Sequence, residues 1–69
     1  MTYFAHVQNG PVEEHKNWDE VVKHMRDVSF YANPNEVISA HSLLRAGGQM
    51  YSFSYGFNAF HVTTFDPRG

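Results

Sequence analysis

The chain contains no cysteine. Disulfides and thiolate zinc sites are therefore excluded, and these are two common ways of stapling a domain this small. No apolar run approaches the ~20 residues that a membrane-crossing helix needs. The opening "MTYFAHVQNG" has neither the basic start nor the apolar centre of a secretory signal, so a cytoplasmic protein is the expectation. Positive charge is scarce: five Lys and Arg stand against seven Asp and Glu, for a net charge of −2. That balance is too acidic for a generic nucleic-acid binder and too weakly acidic for a DNA mimic. No repeat, low-complexity tract or linker breaks the sequence, and one small domain over residues 1–69 is expected.

Catalytic signatures are absent as well. There is no GxSxG elbow and no HExxH, and the serines fall in ordinary helix or strand patterns. Gly47-Gly48 follows a helical pattern rather than opening one, so it is no phosphate-binding loop. Ligand pockets usually span ~300–1,000 Å³, and 69 residues leave little concave volume outside a core. No enzymatic activity, no cofactor and no metal are expected.

What the chain does have is aromatic side chains, at 16% of residues. Each buries ~150–250 Å², which favours a real core in a domain whose stability margin is thin. "TYFAHVQ" alternates and reads as a strand over Tyr3 to Gln8. Asn9-Gly10 then signals a two-residue hairpin with both central residues at positive φ, which would set Val7 opposite Val12. "PVEEH" is the return strand, confined to an edge by Pro11, or else a loop leading into a helix. In "NWDEVVKHMRDV", Asn17 is placed to cap, Glu20 completes a capping box, and Trp18, Val21, Val22, Met25 and Val28 make one apolar stripe. In "NPNEVISAHSLLRAGG", Asn33, Pro34 and Glu36 start a helix and Gly47 stops it. A strand over the middle of that segment, Val37 to Arg45, is the alternative.

"YSFSYGFNAF" holds five aromatics in ten residues and no charge. It reads as the first arm and turn of a hairpin over Gln49 to Phe65. A turn at Phe57-Asn58 pairs Tyr55 with Phe60; a turn at Gly56-Phe57 pairs Phe53 with Phe60. Either way Tyr51, Phe53 and Tyr55 share one face, for the helices to cover. Ser52, Ser54, His61 and Thr63 share the other, facing solvent. The fold class is α+β, a β-(β)-α-α-β-β order with an antiparallel sheet and two helices packed on one face.

The aromatic hairpin reads as core before it reads as a base-stacking platform. "YGFNAFHV" departs from the RNP1 pattern of RNA-recognition motifs: Tyr55 stands where a basic residue belongs, and no Lys or Arg lies between Gln49 and Phe65. Lys16, Lys23 and Arg26 are diluted by Asp19, Glu20 and Asp27. Glu20 and His24, four apart on one helix face, are a weak surface pair or two ligands of a metal; the first reading is preferred. His41 is expected inside, hydrogen-bonded.

A small, plain, cysteine-free domain of this kind fits a protein-binding module acting on a larger protein by steric occupation. By analogy of size, a viral or mobile-element accessory protein that inhibits a host protein is the expected type. Phe57 at the turn, with Tyr55 and Asn58, forms the expected contact set, and Trp18 and Tyr31 join it if left exposed. A nucleic-acid-binding hairpin and a self-associating protein are the alternatives.

Overall fold

The computed structural model describes residues 1–69. Its elements run β1 (Tyr3–Val7), β2 (Glu13–His15), α1 (Trp18–Asp27), α2 (Pro34–Arg45), β3 (Met50–Tyr55) and β4 (Asn58–Thr63). The strands form one antiparallel sheet in the order β2-β1-β4-β3. The fold is α+β, and the segment from Val37 to Arg45 is helix. No helix is long and apolar enough to cross a membrane.

The C-terminal hairpin turns at Gly56-Phe57, so Phe53 pairs with Phe60 and Tyr51 with Val62. Gly56 takes φ +60 at the first central position, where a type II′ turn demands glycine. The first hairpin departs from expectation. Gly10 N–H donates to the Val7 carbonyl and only Asn9 has positive φ, so Gln8 and Asn9 are the central turn residues. Gly10 is an extra loop residue beyond that turn, so Ala5 stands opposite Glu13, and Val7 and Val12 are not partners. Gly10 is there for space: a Cβ would sit 2.6 Å from a Val7 methyl.

Tyr3, Ala5, Phe53, Phe60 and Val62 line the covered face. α1 packs over β1 and β2, and α2 over β3. From α1 come Trp18, Val21 and Met25, from α2 Ala40 and Leu44. The sequence reading overlooked Phe30, which the interhelical connection also buries. Tyr51 is half-buried, and its hydroxyl donates to Glu36 at 2.8 Å, tying β3 to α2. Thr63 was expected in solvent and is buried, its hydroxyl donating to the Phe65 carbonyl at 2.6 Å.

The caps hold in part. Asn17 accepts from the Glu20 amide, but the Glu20 carboxylate reaches the Lys16 amide, one residue short of a capping box. Asn33 accepts from Asn35, and Glu36 is occupied by Tyr51. α2 ends in a Schellman motif: Gly48 donates to Leu43 and Gly47, at φ +112, donates to Leu44. α1 ends the same way with Ser29 at φ +58 in the glycine position. A β-carbon in that conformation costs ~1–2 kcal/mol. Ser29→Gly is therefore expected to stabilise the fold by about 1 kcal/mol, after glycine's own entropic cost. Denaturant unfolding checks this; a lower midpoint for the variant contradicts the assigned helix stop.

Candidate functional site

α1, the interhelical connection and the start of α2 do not close on one another. Between them lies a groove of about 450 Å³ whose lining is apolar apart from Arg26. Val22 and Met25 form the α1 wall, Phe30 and Ala32 the floor, and Val37 and Ile38 the α2 wall. The groove exists because each helix spreads its apolar side chains beyond the arc that the sheet covers. Val22 and Val37 are only half-buried, and Ile38 is 68% exposed.

An aromatic rim continues this surface. Tyr31, 64% exposed, lies edge-to-face with Tyr55 at 6.4 Å between ring centroids. Tyr55 also meets Phe30 edge-to-face at 5.9 Å. Two residues further, Phe57 projects from the hairpin tip with its ring fully exposed. Of the contact residues expected from sequence, Tyr31, Tyr55, Phe57 and Asn58 are exposed, and the fold brings Tyr31 against Tyr55. Trp18 is different. It is 8% exposed, edge-to-face with Tyr3, and its ring stacks on His41 at 4.8 Å. Trp18 is core, because the first turn of α1 lies directly over β1. The sequence reading also missed the groove itself, whose signal was the breadth of the two apolar stripes, with Val22 and Ile38 off the main line of each.

A second concavity of about 380 Å³ lies beside Trp18 and His41, edged by Lys16, Asp19 and Arg45. The chain thus has more concave volume than its length suggested. His41 is half-buried and held by stacking rather than by the expected hydrogen bond. Burial holds its pKa below the ordinary value of 6.5, and the Arg45 cation adds to this against a smaller opposing pull from Asp19.

The other four histidines form two pairs. On the uncovered sheet face His6 and His61 are cross-strand partners, and the Ser52 hydroxyl lies 2.7 Å from Nδ1 of His61. No carboxylate orients that imidazole and the face is not a cleft, so the contact lacks the parts of a hydrolytic site. Under the helices, His15 and His24 are both buried, with Glu13 and Glu20 beside them. His24 is therefore not the surface partner of Glu20 expected from their spacing. Glu13, His15 and His24 are the residues of this chain placed to hold a metal ion. Compared with protein-family models, curated proteins and solved structures, the chain matches none.

His6, His24 and His41 all bind their protons more weakly in the fold than at the ordinary value of 6.5, burial being the first cause for each. The unfolded chain then takes up more protons than the native one as pH falls. Stability is full above 6.5 and is lost as pH drops through the lowered native values. The melting temperature should fall between about pH 7.5 and about pH 5, with a shallower slope in His24→Gln. A melting temperature that holds constant over that range contradicts the burial of these rings.

Proposed function

We propose that this protein is a small non-enzymatic binding module that seats apolar side chains of a larger protein in the groove between α1 and α2. The observation that carries this reading is the continuity of the groove with the exposed rings of Tyr31 and Tyr55, two residues from the exposed Phe57 at the hairpin tip. Apolar surface bordered by exposed aromatic rings is the kind of surface that protein partners cover. Small-molecule sites add several convergent polar groups that fix orientation, and Arg26 is the only charged residue lining this groove. A protein segment needs fewer, since aromatic anchors supply most of the energy at protein interfaces. A nucleic acid is disfavoured by the scarcity of cations around the rim. The module acts by covering the surface it binds, which blocks other partners of that surface.

Nuclease-treated lysate of the source cells, passed over the immobilised protein, tests this with three baits. The native chain should retain one protein in stoichiometric amount. Phe57→Ala should weaken that binding by roughly 1–2 kcal/mol, about ten- to thirtyfold. Ile38→Asp, which places a charge on the groove wall, should abolish it. Because Phe57 is fully exposed, its loss should move the melting transition little. Equal retention by all three baits, or retention that vanishes with nuclease, contradicts the proposal. Mass that grows with concentration in the isolated chain would make a second copy the occupant instead.

A further inference from the structure

His15 ends the edge strand β2, and His24 projects from α1 beneath it. The two rings meet nitrogen to nitrogen, with Nε2 of His15 3.0 Å from Nδ1 of His24. Their outer nitrogens face carboxylates. Nδ1 of His15 lies 3.7 Å from Oε1 of Glu20, and Nε2 of His24 lies 3.1 Å from Oε2 of Glu13. A neutral imidazole carries one N–H and one lone pair. Glu13, at 3.1 Å, favours the N–H of His24 on Nε2, while Glu20 lies beyond hydrogen-bond reach of His15 and its Oε1 accepts from the Lys16 amide. The lone pair of His24 Nδ1 then faces His15, where Nε2 either donates a hydrogen bond to it or, with the proton on Nδ1 of His15, joins it as a second donor atom for one cation.

We propose that His15, His24 and Glu13 bind a divalent transition-metal ion of the zinc class. Two imidazoles and a carboxylate are a donor set such an ion accepts, leaving a fourth position for water. Nitrogens at ~2.0–2.1 Å from a tetrahedral zinc lie ~3.3 Å apart, close to the separation of the two rings. The three ligand atoms all lie within 4.8 Å of one another. Closing on one ion requires the Glu13 carboxylate to leave Nε2 of His24 and swing to the inner nitrogens, and this side chain is half exposed on an edge strand. The same exposure gives the ion its way in. Charge also balances, since Glu13 and Glu20 together match a divalent cation. The pair formed by His6 and His61 has no carboxylate in ion-pair contact and serves as an internal control.

The test uses tag-free, metal-stripped protein, titrated with Zn²⁺ by calorimetry and with Co²⁺ by visible absorption. At about pH 7.5 one ion should bind per chain, and Co²⁺ should show the intense bands of a four-coordinate site. Binding should be lost at about pH 5.5, where imidazoles take up protons in place of metal. Glu13→Gln should weaken binding at least ~10-fold, while His6→Ala should leave it unchanged. Histidine side-chain nitrogen signals of the native protein should shift for His15 and His24 and not for His6 or His61. That arm needs no variant to fold. Absence of stoichiometric binding at the higher pH, binding indifferent to Glu13→Gln, or ring shifts at His6 and His61 would each overturn the assignment.

Discussion

β1 and β4 lie at opposite ends of the chain and pair in the middle of the sheet, Ala5 against Val62 and Val7 against Phe60. The residues joined here are as much as 59 positions apart, from Phe4 to Thr63. Closing so long a loop costs entropy before any contact compensates for it. Compensation comes from the covered face, where Phe53, Phe60 and Val62 meet Val21 and Leu44 with no exposure to water. Each hairpin alone is an edge with half a core. Only their union makes a surface wide enough for two helices, and the position of every functional side chain follows from it.

Two short helices over four strands leave their margins unfilled. On the side shared by α1 and α2 the margin is apolar and becomes the groove. Under α1, toward β2, it is polar, and the histidine pair fills it with its two carboxylates. α1 thus serves both places: Val22 and Met25 face the groove while His24 turns under the helix toward β2. A single helix of ten residues carries a hydrophobic contact surface and a cluster of ionisable groups without either touching the other's chemistry.

Much of the architecture was legible in local signals with a direct physical cause. Asn17 and Asn33 cap their helices because a short acceptor side chain satisfies a free amide, and Gly47 stops α2 because φ +112 excludes a side chain. The histidine cluster was not legible, and the reason is a single residue of register. A two-residue turn at Asn9-Gly10 would have set His15 opposite Phe4, on the uncovered face. The turn at Gln8-Asn9, with Gly10 as an extra loop residue, sets it opposite Tyr3, on the covered one. A slip of one position moves every side chain of a strand to the other face. Glu13 and His15 passed beneath α1 that way, and His24 with them became an inner residue. Phe30 escaped notice for another reason: it lies in a connection without periodicity, and only the path between the helices buries it.

The central claim is that the groove and its aromatic rim are the contact face. Site-specific photocrosslinking in lysate of the source cells tests it most directly, with the crosslinker placed singly at Ile38, Phe57 or Ser54. Ile38 and Phe57 flank the proposed contact, and Ser54 lies on the uncovered sheet face. The account predicts one common protein adduct from Ile38 and Phe57 and none from Ser54. An adduct formed from Ser54 alone, or no adduct from any of the three, would contradict it.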